Sequence, residues 1–111
     1  MSLTKYIYDG YEPVGFIMSN YVVAEENEWA DENTYHICRF MIDKNHQGKG
    51  YGKEAMHQKL ELLKTGPLGH AKSVTIGSEP ENHVVRKIYD SFGFVEMDYE
   101  LGDEIIARLA L

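Results

Sequence analysis

The sequence predicts an α+β fold, an α/β mixed sheet with helical crossovers, in the order β-β-β-α-β-α-β-β. Three observations carry that prediction. Stretches rich in β-branched and aromatic residues dominate the chain before residue 44. The apolar spacing then takes a helical period twice, over 51–64 and 79–94, with a short strand pattern between. The chain closes on two strand patterns around Leu101-Gly102-Asp103. At 111 residues it is expected to form one domain, residues 1–111.

Residues 6–8 read as the first strand, Asp9-Gly10 as its turn, and 14–23 as the second strand. The acidic stretch AEENEWADEN is a polar connector, and TYHICRFMID is the third strand. Strict alternation would place Ile37, Arg39 and Met41 on one face and His36, Cys38 and Phe40 on the other. Over 51–64, Ala55, Met56, Leu60 and Leu63 form one helical stripe, which Gly66 and Pro67 stop. KSVTIGS is a fourth strand. In EPENHVVRKIYDSFGF, Val84, Val85, Ile88, Tyr89 and Phe92 form the inner face of a second helix that Gly93 ends. Residues 95–100 and 104–109 make the closing hairpin.

Acidic residues outnumber basic ones by 18 to 11, a formal net charge of -7, which argues against a nucleic-acid partner and favours cationic ones. Cys38 is the single cysteine, which excludes an intrachain disulfide and any multi-cysteine metal site. The histidines at 36, 46, 57, 70 and 83 have no spacing that calls for a metal, so none is expected. No apolar stretch suits a membrane span and no basic start precedes an apolar run. A cytoplasmic protein without a membrane partner is expected.

HQGKGYGKE puts Gly48, Gly50 and Gly52 at alternate positions between a strand and a helix. One reading is a flexible turn. The other is an anion site, because N–H groups at a helix start lack partners and the helix dipole favours negative charge there. Lys49 and Lys53 would add to it. The spacing is neither that of a P-loop nor that of the dinucleotide fingerprint.

With its flanks, RFMIDKNHQGKGYGKEAM resembles motif A of the Gcn5-related N-acetyltransferases (GNAT), a strand followed by Q/R-x-x-G-x-G/A; Gln47, Gly50 and Gly52 occupy its fixed positions. ENHVVRKIYDSFGF resembles the second signature of the same family, with Asn82, Tyr89 and Gly93-Phe94 in place. RFMID, QGKGYGK and YDSFGF look most like the spermine/spermidine (polyamine) acetyltransferase branch. The resemblance implies the GNAT acyl-CoA N-acyltransferase fold and an enzyme that moves an acetyl group from acetyl-CoA to a primary amine, a polyamine such as spermidine or spermine. Two alternatives stand beside it: acetylation of another amine (an amino acid, an antibiotic or a protein N-terminus), and CoA binding without turnover.

By this resemblance Gln47, Gly48, Lys49, Gly50, Tyr51, Gly52 and Lys53 cradle the CoA pyrophosphate. Phe40, Met41 and Ile42 offer backbone groups to pantetheine, and a backbone N–H among them polarises the thioester carbonyl. The strand before the loop and the strand after its helix are expected to splay apart. Tyr89 matches the tyrosine that protonates the leaving thiolate; without the motif it reads as a core tyrosine. Asn82 is a cofactor contact or a plain N-cap. His36 stands where some relatives carry a catalytic glutamate, and it reads either as a base or as an ordinary strand histidine. Cys38 stands where polyamine-type relatives carry an acidic residue, a departure from that pattern.

Glu25, Glu26, Glu28, Asp31 and Glu32, around Trp29, are either an acidic rim for a small cationic amine or a solvated loop. Glu79 and Glu81 either add to that rim or favour a helix start. Relatives usually begin with one more strand and a pair of helices, and by this resemblance the chain starts on the second strand. An open sheet edge and an uncovered face would follow. A homodimer is therefore expected, through the first strand or the C-terminal hairpin, 95–109.

Overall fold

A computed structural model describes residues 2–111. The strands are β1 (Ser2–Asp9), β2 (Glu12–Val22), β3 (Thr34–Ile42), β4 (Ser73–Ser78), β5 (Val95–Leu101) and β6 (Glu104–Ala110). Helix α1 (Tyr51–Lys64) joins β3 to β4, and α2 (His83–Ser91) joins β4 to β5. They form a six-stranded sheet in the order β1-β2-β3-β4-β6-β5. Only β3 and β4 run parallel; every other pair is antiparallel. A parallel neighbour needs a crossover, and α1 supplies it. The element order is the one expected, and α1 has the expected bounds. The first strand begins earlier than residue 6, and α2 is shorter than the pattern over 79–94.

One face of the sheet carries the main core: Ile17, Tyr35, Ile37, Val74 and Ile76 pack against Met56, Leu60 and Leu63 of α1. Tyr89 and Phe92 reach the same cluster, so α2 lies on that face too. The Tyr35 hydroxyl crosses the core to donate to Gly69 O (2.6 Å) and accept from Leu68 N (2.9 Å), which fixes the turn after α1. Burying an aromatic ring while pairing its hydroxyl avoids an unsatisfied polar group.

Two expectations about faces need correction. Ser19 pairs with Ile37 and Met18 with Arg39, so Cys38 is an extra residue, a bulge, in β3. Side-chain alternation slips there. Phe40, not Arg39 or Met41, joins the core side with Tyr35 and Ile37. In α2, Val84 is 72% exposed and Ile88 42%, so the inner face narrows to Val85, Tyr89 and Phe92.

The opposite face is covered at the Thr34 end by the connector. Trp29 meets His36 edge-on with ring centroids 5.3 Å apart. Arg108 on β6 binds Asp31 (3.0 Å) and Glu32 (3.2 Å), which ties the connector across the sheet. No helix among the described residues is long and apolar enough to cross a membrane.

Lys59 lies on the buried stripe of α1, where the alternation of apolar residues gave no warning. It is 3% exposed, and among the described residues its Nζ donates only to Leu3 O at 3.3 Å. Burial, helped by the charge on Lys5, lowers its pKa from 10.5 to about 8. Below pH 8 the charged amine is held at a cost in the folded state. Between pH 8 and 10.5 the unfolded chain binds more protons, so stability rises with pH through that window. Lys59→Met should be more stable than the parent at pH 7 and should lose that rise. Urea midpoints for both proteins across pH 7–10 check this.

Candidate functional site

The parallel pairing of β3 and β4 is short. It runs from Thr34↔Ser73 to Ile37↔Ile76 and stops. Beyond it β3 continues through the bulge to Ile42, whereas β4 ends at Ser78. Pro80 follows, and proline cannot continue a ladder. The strands therefore part, and a cleft of about 500 Å³ opens between them. Cys38, Arg39, Phe40 and Met41 form one wall; Gly77, Ser78, Glu79, Asn82, Val85, Tyr89 and Glu104 form the other. A larger groove, about 620 Å³, lies between α2 and the β5–β6 hairpin, and it shares Tyr89 with the cleft.

The glycine stretch lies at the same end of β3. Gly48 and Gly50 have φ of +82° and +84°, a region that side chains disfavour, and a Cβ at either would meet nothing within 4 Å. Both positions thus need glycine for backbone shape and leave open space outside. Gly50 is the N-cap of α1 and supplies no side-chain cap, so the first N–H groups of a 14-residue helix stay free. Lys49 and Lys53 are exposed and make no ion pair among the described residues. Gln47 binds inward instead: its Nε2 donates to Ile42 O at 3.0 Å. Loop shape, free N–H groups and two loose lysines fit a pyrophosphate.

Neighbouring groups hold this loop against the β1–β2 turn. His46 has Nδ1 2.9 Å from Asp43 Oδ2 and Nε2 3.2 Å from Glu12 Oε1. Its hydrogen bond holds the Asp43 carboxyl below the usual range. The Tyr51 hydroxyl donates to Asp9, and that bond pushes its own pKa up. Sequence reading did not anticipate either tie, because Asp9 and Glu12 are remote in the chain.

Tyr89 is half-buried, with its ring 6.1 Å from that of Phe94. Burial first, and the negative charge of Glu104 second, push its pKa up, so it stays protonated at neutral pH. Asn82 lines the cleft and also caps α2, its Oδ1 accepting from Val85 N at 3.3 Å. Phe40 and Met41 line the cleft and Ile42 lies just beyond.

The remaining expected residues are dispersed. His36 is outside the cleft lining, one register step before the strands part. Its Nδ1 is 2.9 Å from Thr75 Oγ1, and burial lowers its pKa. Glu25, Glu26 and Glu28 are exposed on the connector at the Thr34 end of β3. From there to Met41 the strand runs about 23 Å. Glu79 lines the cleft, and Glu81 is exposed outside its lining. Two charged wall residues escaped sequence reading, Arg39 and Glu104. A signal existed for the second: Gly77 interrupts a strand of larger residues, a mark of close approach.

The sequence pattern described as the acetyltransferase (GNAT) family matches residues 2–94. No curated protein sequence matches the chain. Among solved structures, the PaiA N-acetyltransferase from Thermoplasma acidophilum, in complex with coenzyme A, superposes with a TM-score of 0.77 at 15% identity. That match covers 99% of this chain and 61% of the other, so the chain spans less than two thirds of that relative's length. The ribosomal-protein-S18-alanine N-acetyltransferase from Escherichia coli gives 0.75 at 17% identity, over 98% of this chain and 68% of the other. The IAA acetyltransferase from Bacillus cereus gives 0.78 at 18%, over 99% and 78%. At such identities the likeness shows the fold.

The loop geometry separates its glycines. Gly50→Ala should cost about 1 kcal/mol through its backbone angle alone. At Gly52 a Cβ would make ordinary contacts with Phe40 (3.6 Å) and Ile42 (3.7 Å), so Gly52→Ala should be neutral or stabilising. Urea denaturation of the two variants gives the comparison.

Proposed function

The chain belongs to the acetyltransferase (GNAT) family, and from that premise we propose that it transfers the acetyl group of acetyl-CoA to a primary amine in the cleft between β3 and β4. The observation that carries this reading is the cleft itself, opened where the parallel pairing stops, with Tyr89 in its wall and an uncapped helix start at the same end. Residues 1–111 act as one domain in this reading, and the setting is cytoplasmic.

Acetyl-CoA, when bound, supplies the activated acetyl group. The N–H groups at the start of α1, with Lys49 and Lys53, hold its pyrophosphate. Backbone groups of Phe40, Met41 and Ile42 align pantetheine along the open edge of β3, an edge free because β4 has left it. A backbone N–H beside the bulge stabilises negative charge on the carbonyl oxygen. Tyr89 holds a proton at Oη for the departing thiolate. Its raised pKa keeps that proton in place at neutral pH.

The acceptor is a cationic amine. Spermidine or spermine fits the acidic balance of the chain. The acids that stand in the cleft for it are Glu79 and Glu104, since Glu25, Glu26 and Glu28 lie at the far end of the strand. A specific observation favours a second reading, an amine that also bears a carboxylate, such as an amino acid. Arg39 lines the cleft and makes no ion pair or side-chain hydrogen bond among the described residues. An anionic group on the acceptor would meet it.

Thiol release from acetyl-CoA should rise with at least one member of a panel of spermidine, spermine, lysine, glycine and a peptide with a free N-terminus. No response to any of them, with CoA still binding, would leave a CoA-binding protein without turnover. Tyr89→Phe should cut turnover by about 10²-fold while leaving CoA affinity nearly unchanged, since it removes a proton and little packing.

Association is part of the same proposal. β1 and β5 are the open edges of the sheet, and β1 exposes Tyr6 (66%) and Tyr8 (58%). Pairing of two such edges gives a closed symmetric homodimer. Light scattering at micromolar concentration should return twice the chain mass; a monomer would remove the dimer from this reading.

A further inference from the structure

We propose that Glu104 receives the ammonium of the acceptor and takes up one of its protons, acting from the sheet face opposite the helices while Tyr89 acts from the helical face. This rests on the reading of the cleft as the transfer site. Glu104 opens β6 and its side chain lies over Gly77 of β4. A Cβ on residue 77 would come 2.6 Å from Glu104 Oε1 and 2.9 Å from its Cδ, so the missing side chain is what makes room for the carboxyl. Gly77 follows Ile76, whose side chain is in the helical-face core, and alternation puts residue 77 on the other face. Tyr89 comes from α2 on the helical face, yet it feels the Glu104 charge. The two groups therefore flank one opening from its two sides.

Glu104 has no ion pair and no side-chain hydrogen bond among the described residues, in contrast to Glu96, Asp31 and Glu32, which arginines hold. A carboxylate in a cleft wall without a cation is matched by a ligand that brings one. His36, a candidate base on β3, is bound to Thr75 behind the opening and does not line it. In the transfer an N–C bond forms and the thioester C–S bond breaks. The ammonium loses two protons in all. One leaves to water through Glu104, and the other balances the proton that Tyr89 gives to the thiol. No further reactant is needed.

Glu104→Gln should raise the KM for the best amine of the panel at least tenfold while CoA affinity, read by calorimetry, stays as in the parent. Gly77→Ala keeps the charge and pushes the carboxyl aside, so it should raise KM in the same direction. Added to Glu104→Gln it should do nothing more, because there is no carboxylate left to displace. A parent-like KM in Glu104→Gln overturns the assignment. If the parent itself acetylates none of the five amines, the transfer reading fails by that fact. Glu104 is then judged by calorimetry of the tightest-binding panel amine on CoA-loaded protein: a tenfold loss in Glu104→Gln upholds its role, and equal affinity overturns it.

Discussion

The architecture depends on one short pairing, the parallel contact of β3 with β4 between Thr34↔Ser73 and Ile37↔Ile76. It joins the β1–β2–β3 half of the sheet to the β4–β6–β5 half. Its length is set from both sides. The bulge at Cys38 re-aims β3, and Gly77, Ser78 and then Pro80 end β4. A longer ladder would close the sheet and fill the space where the cleft stands. The backbone groups of β3 beyond Ile37 are left without a β4 partner. In the proposed function a ligand with amide groups meets them there.

Stability has to come from elsewhere at that end of the molecule. The core under α1 holds the middle of β2, β3 and β4, and Tyr35 pins the turn after α1 through two hydrogen bonds. The glycine stretch has little core of its own. It is fastened by polar ties to the β1–β2 turn, through His46 with Glu12 and Tyr51 with Asp9, and to the end of β3 by Gln47. Exposed ties of this kind contribute little energy singly. Their effect is geometric: they set where the helix start points. An anion site needs that aim more than it needs stability.

The charge pattern divides along the same line. Two acids of the connector serve the fold, since Asp31 and Glu32 neutralise Arg108, and Trp29 beside them covers His36. The charges of the cleft, Arg39, Glu79 and Glu104, remain unpaired among the described residues. Charges that hold structure are satisfied internally, and in the proposed function those facing the cleft meet a ligand. The net charge alone does not make that distinction, which is why an acidic loop in the sequence looked as suited to a cation as the cleft does.

The sequence by itself determined the element order, the bounds of α1 and a glycine-dependent loop over 48–52, and it offered a cap at Asn82 beside a cofactor contact. Each follows from interactions within a few residues: side-chain period, left-handed backbone angles, and a side chain reaching its own helix start. The tertiary structure decided the rest. The bulge at Cys38 arises from register against β2, so it reassigned the faces of Phe40 and Arg39 although the alternation in the sequence is unbroken. Lys59 is buried where β1, paired beside β2, brings Leu3 O within reach of its Nζ, and Val84 stands exposed on α2. Glu104 and Gly77 meet only because β6 pairs with β4, which places Ser78 opposite Ile105. Period and propensity are local and can be read along the chain. Which strand lies beside which, in what register, is fixed by the whole sheet, and that choice brings the wall of the cleft together.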